Sequence, residues 1–97
     1  MKQQIKEDEI EQLTGLFKIL GDTTRLKMIW LLDSEICVSE LAKKLEMEQS
    51  AVSHQLSILK AGGLVDKRRD GKQVYYKLVD AHVRQVLKVG MENVGKN

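Results

Sequence analysis

The stretch from Val38 to Leu64, VSELAKKLEMEQSAVSHQLSILKAGGL, constrains this chain more than any other. Leu41 and Leu45 sit four apart, and Val52, Leu56 and Leu59 follow the i, i+4, i+7 rule. Two short amphipathic helices joined by a tight turn are the result. The opposite face of the second helix shows Gln49, Ser50, Ser53, His54 and Gln55. Short or planar hydrogen-bonding side chains of this kind serve no purpose in a core, but they suit base edges and phosphates in a major groove. A helix pair whose second member is free to enter the groove is the helix-turn-helix geometry.

Charge supports this reading only through its distribution. A net charge of +2 over 97 residues is too small to argue for nucleic acid. Between Ser50 and Lys77, however, Lys60, Lys67, Arg68, Arg69, Lys72 and Lys77 face only Asp66 and Asp70, a local excess of four. The first twenty residues carry three lysines against four acids. A basic lobe on a nearly neutral chain suits a protein that docks one face on phosphates.

The flanking segments complete one domain, residues 1–97, in which the polar residues 1–7 are expected to fray. Ile10, Leu13, Phe17 and Leu20 recur at three and four and predict an amphipathic helix over 8–20. Gly21-Asp22 breaks it, with Asp22 placed to cap the next helix, Thr23 to about Leu32. That helix is apolar nearly all round, so it and Trp30 are expected at the centre of the core. Asp33 to Glu35 form a loop, and Gly62-Gly63 ends the recognition helix, 49–60. Leu64–Arg69 and Gln73–Leu78 then read as two strands around the turn Asp70-Gly71, with Lys67, Arg68, Arg69 and Lys72 crowding the tip. Asp80 caps a last helix to about Val94, with Val83, Val86, Leu87 and Met91 as its apolar contacts. The fold class is mainly α with a little β: a winged helix-turn-helix of five helices and a two-stranded hairpin wing. The first and last helices keep apolar faces that the same helices of a second copy would cover, giving a homodimer. Two recognition helices would then stand roughly 34 Å apart, one turn of DNA.

Other classes fit poorly. The longest apolar run, Met28–Leu32, cannot span a bilayer, and no signal-peptide pattern opens the chain, so a cytoplasmic location without membrane attachment is expected. One cysteine, Cys37, allows neither an internal disulfide nor a cysteine-pair zinc site within the chain. It lacks an activating base, His54 and His82 lie on separate elements, and there is no glycine-rich phosphate loop, so an enzyme is not expected. A protein–protein adaptor built on a winged helix is the competing class. Steep salt dependence of binding to DNA separates the two, because phosphate contacts release counterions.

The runs FKILGDTTRLKMIWLL (17–32), ICVSELAKKL (36–45), QSAVSHQLSILKAGGLV (49–65) and DGKQVYYKL (70–78) resemble the ArsR/SmtB family of winged-helix repressors. The resemblance runs from about Ile10 to Val94. It implies a homodimer on an inverted-repeat operator, released by an inducer that is usually a metal ion. The family's recognition helix falls on Gln49, Ser50, Ser53 and His54, and its basic wing on Arg68, Arg69 and Lys72. Glu48 stands where many relatives have a small capping residue; its charge suits a helix N-terminus but opposes nearby phosphate.

The same resemblance implies two kinds of metal site, and this sequence matches neither fully. Thiophilic ions are held by a Cys-Val-Cys arrangement, which here reads Cys37-Val38-Ser39, with a single thiol. Cys37 is therefore expected to be a small, partly buried apolar residue. Zinc-sensing relatives place an Asp-x-His pair on the last helix of one subunit, here Asp80-Ala81-His82, and two further ligands on the partner's. Those positions fall on Asn93 and Lys96, an amide and an ammonium where tetrahedral zinc wants four good donors. Glu92 would reach the site only with a register change of about 100°. Three readings of the inducer follow: zinc on a partial Asp80/His82 site completed by water or Glu92, a non-metal inducer, or none.

Overall fold

The computed structural model of the chain describes residues 4–95. Lys96, one of the two expected partner-ligand positions, lies outside the described residues. Five helices and three short strands run in the order α1 (Glu7–Leu20), α2 (Thr23–Leu31), β1 (Ile36–Cys37), α3 (Val38–Leu45), α4 (Gln49–Ala61), β2 (Val65–Asp70), β3 (Gln73–Leu78) and α5 (Ala81–Val94). Each boundary has a local cause. Glu7, Asp8 and Glu9 fill the first turn of α1, where the helix dipole favours negative charge. Asp22 accepts the Arg25 N–H at 3.0 Å and Asp80 accepts the His82 N–H at 2.9 Å, so both aspartates are the caps that the sequence predicts. Between α3 and α4 the turn is made by Glu46, a non-glycine residue in the left-handed region at φ 55°. After α4 the same conformation falls to Gly63 at φ 76°, whose N–H bonds the Lys60 carbonyl at 2.9 Å.

The core lies where α2, α3, α4 and the base of the hairpin meet. Met28, Ile29 and Leu32 from α2 and its end meet Leu41 from α3 and Val52, Leu56 and Leu59 from α4, all essentially without solvent contact. Leu64, Val65 and Tyr76 close it from the hairpin, and Val83 is the buried anchor of α5. Trp30 is not in this core. It is 52% exposed, because the nine-residue α2 turns one face, Met28 and Ile29, inward and leaves Leu26 and Trp30 on the other. Trp30 instead lines an apolar groove of about 690 Å³ with Phe17 of α1 and Val86, Met91 and Val94 of α5. Ile10 and Leu13 of α1 and Val89 of α5 are also exposed. Of the apolar residues expected to pack on α5, Val83 is buried and Leu87 rests on the core, whereas Val86 and Met91 remain exposed.

The sheet has three strands rather than two, in the order β1-β3-β2. Ile36 and Cys37 pair antiparallel with Tyr76 and Tyr75, a two-residue strand too short to leave any periodic signal in the sequence. The hairpin register pairs Asp70 with Gln73, so the first strand runs Val65–Asp70 and the turn residues are Gly71 and Lys72, one later than expected. Only Gly71 of that pair has positive φ (62°), and the glycine rather than Asp70 sets where the chain reverses.

Arg68 braces the wing against the body. Its Nη2 and Nε donate to the two carboxylate oxygens of Glu35 at 2.8 and 3.1 Å, a bidentate pair with the loop before β1. The guanidinium also lies 4.8 Å from the ring centroid of its cross-strand partner Tyr75. The hydrogen bonds and charge of Arg68 hold the Glu35 carboxyl below its ordinary pKa. A carboxylate depressed in the folded state contributes stability above its unfolded pKa and loses it as pH falls through the folded value. Wild type should therefore melt above Glu35→Gln at pH 7, with the gap closing as pH falls below about 4, as followed by thermal denaturation across an acid series.

Candidate nucleic-acid interface

Complete burial of Val52, Leu56 and Leu59 fixes the rotation of α4 about its axis. Gln49, Ser50, Ser53 and His54 consequently stand exposed along its outer side. The hydroxyls of Ser50 and Ser53 make no hydrogen bond among the described residues, whereas Ser57 Oγ is turned back onto the His54 carbonyl at 2.6 Å. Donors and acceptors that no internal partner uses are available to a ligand. Glu48 precedes the helix without making a side-chain cap bond.

Gln55 belongs to a different set. Its Oε1 accepts from Arg25 Nη1 at 3.0 Å, and the same guanidinium donates to the Ile19 carbonyl at 2.7 Å and the Lys18 carbonyl at 3.3 Å. This tie joins α1, α2 and α4, and sequence reasoning missed it. The only local signal was an arginine three residues after the Asp22 cap.

The expected wing residues divide by strand alternation. Cross-strand partners share a face, so Arg69 lies over Val74 and Arg68 over Tyr75, on opposite sides of the ribbon. Arg68 is held by Glu35, with Asp70 a further 3.8 Å contact. Arg69 and Lys72 at the tip are exposed and form no ion pair among the described residues, and Lys60 is drawn to Asp66 at 3.6 Å. The sequence could not distinguish Arg68 from Arg69, because Glu35 lies 33 residues away along the chain.

The structure brings Asp80 and His82 together but uses them on one another. Asp80 Oδ1 accepts the His82 backbone N–H and stands 3.3 Å from its Nδ1. Among the described residues no three His, Cys, Asp or Glu side chains gather closely enough to hold a metal ion. Asn93 sits in the last turn of the same helix, about 16 Å along the axis from His82 at 1.5 Å per residue. Within one chain these are two donors, one of them a helix cap, where tetrahedral zinc takes four. Cys37 is half-buried at the N-cap of α3, with Sγ 3.3 Å from Ser39 Oγ. Its partial burial is as expected from sequence, and the Ser39 hydroxyl and the Glu40 backbone at the helix start lower its pKa.

The order of four helices, a hairpin and a fifth helix recurs in known proteins. Residues 22–67 match the family model described as bacterial regulatory protein, arsR family. The chain is 44% identical over 77 residues to the transcriptional repressor SmtB homolog of Synechocystis sp., covering 78% of this chain and 58% of that protein's length. With the cadmium resistance transcriptional regulatory protein CadC homolog of Staphylococcus aureus it shares 35% identity, over 89% of this chain and 73% of the relative. The crystal structure of the AntR antimony-specific transcriptional repressor superposes with a TM-score of 0.89 at 30% identity, covering 98% of this chain and 87% of that one. Sequence likeness through the helix-turn-helix and a shared fold from end to end lead to one assignment: this chain belongs to the arsR family of bacterial regulatory proteins.

Proposed function

We propose that two copies of this chain form a transcriptional repressor that lays α4 and the hairpin tip against an inverted-repeat operator. The observation that carries this reading is the exposed row Gln49, Ser50, Ser53 and His54 on a helix whose other side is fully sealed. The SmtB homolog and AntR, both named as repressors, support it. Ser53 and His54 would read base edges or phosphate, with Gln49 and Ser50 contacting the groove near the start of α4. Arg69 and Lys72 would meet phosphates, while Arg68, spent on Glu35, would set the angle of the wing. The second copy would cover Ile10, Leu13 and Phe17 of α1 and Val86, Val89 and Met91 of α5, which the described residues of one chain leave exposed.

Such a protein works where the chromosome is, so the cytoplasm is its place, and it performs no chemistry on its ligand. None of its described helices is long and apolar enough to cross a membrane. Asp80 and His82 would supply two of the four donors that zinc needs, with water, Glu92 or the second copy completing the shell, and a non-metal inducer is the competing reading.

Replacing Ser53 and His54 with alanine should weaken operator binding by about 1–3 kcal/mol per lost base or charged contact while the fold persists. Fluorescence anisotropy with labelled duplex measures this, and undiminished affinity would remove α4 from the interface. In the same assay Arg69→Ala and Lys72→Ala should each lower the salt slope of log K by about one, and Arg68→Ala should not. Leu13→Glu, an exposed site on α1, should convert the dimer to a monomer in sedimentation analysis. A wild-type chain that sediments as a monomer at micromolar concentration would refute the dimer.

A further inference from the structure

Arg25 occupies an unusual position. It lies in the first turn of α2, and its fork reaches the last turn of α1 with two arms and the recognition helix with the third. The last carbonyls of a helix have no partner within it. The turn after α1 does not supply the usual left-handed cap, since Gly21 sits at φ −81°. The Ile19 and Lys18 carbonyls are taken by Arg25 Nε and Nη2 instead, at the end of α1 where the dipole favours a cation. The remaining arm, Nη1, holds Gln55 Oε1 on α4, directly after Ser53 and His54. No carboxylate side chain pairs with this guanidinium among the described residues, so its bonds all go to these three neutral oxygens.

We infer that Arg25 is a positioning residue that locks the recognition helix to α1, and so sets the distance and angle between the two recognition helices of the dimer. The inference rests on the DNA-binding reading above. α1 carries the exposed apolar face that a second copy would cover, and α4 carries the groove-facing side chains. A rigid planar fork with three fixed acceptors transmits the placement of one helix to the other, which a flexible ammonium cannot do. Any movement of α1 against the body must stretch at least one arm, so this is the point at which a change at the dimer face reaches the DNA face.

The test uses the full chain and a duplex enriched by the wild type from a random pool, together with versions whose half-sites are moved by one base pair in either direction. Wild type should lose affinity sharply at altered spacing. Arg25→Lys keeps the charge but loses the fork, and should bind the original duplex roughly tenfold more weakly. It should also discriminate less between spacings, with dimerisation and helical content unchanged. Gln55→Met, at a half-exposed site with no effect expected on folding, should flatten the spacing profile in the same way. The double variant should be no worse than either single. A wild-type spacing profile in both single variants would overturn the inference, as would a loss confined to Arg25→Ala with a salt slope lowered by about one, which marks a direct phosphate contact. Failure of the wild type to enrich any duplex would instead refute DNA binding itself, and it would be seen before any variant was made.

Discussion

Everything in this structure depends on the apolar seam of α4 being sealed. Val52, Leu56 and Leu59 have no solvent exposure, and burying each contributes about 1.5–3 kcal/mol. Successive helical residues are about 100° apart, so even a one-residue rotation of α4 would bring this seam toward water. The exposed set of Gln49, Ser50, Ser53 and His54 is thus held outward by hydrophobic burial on the other side, without any side-chain bond of its own. Specific recognition needs side chains that are free to bond a ligand yet fixed in direction, and this arrangement meets both conditions.

Around that seam, charge is sorted by whether it has an internal partner. Arg68 is used by Glu35 and Tyr75 to fix the wing, and Arg25 by α1 and Gln55 to fix α4. Arg69 and Lys72 are left for the outside. Cations of the same type, adjacent in sequence, therefore do different work. Strand alternation decides which of Arg68 and Arg69 meets Glu35, and with it the division between bracing the wing and standing free at its tip.

The folded chain remains physically incomplete along α1 and α5. α5 is anchored by Val83 and Leu87 near its start, while Val89, Met91 and Val94 lie exposed beside the groove that also holds Trp30 and Phe17. Contiguous apolar surface of this kind on a small domain marks an association site. At the start of α5 an acid and an imidazole stand side by side without forming a complete metal site within one chain. Asp80 serves as a cap and binds its neighbour His82, and among the described residues of one chain no third His, Cys, Asp or Glu joins them.

Helix positions, the direction of α4's polar face, both aspartate caps and the hairpin could all be read from the chain, because each depends on residues three or four apart or on a two-residue turn. The same local rules failed for Trp30. An α2 apolar on nearly every side cannot indicate which side faces the core, and packing put Met28 and Ile29 there instead. They also failed for β1, which exists only because Tyr75 and Tyr76 arrive beside Ile36 and Cys37. Periodicity thus determines which side chains a helix or strand groups together, since it is a property of neighbouring residues. Which of those groups is spent on a partner within the chain, as Arg68 and Arg25 are, and which is left exposed was decided by contacts between segments tens of residues apart, which only the folded chain brings together.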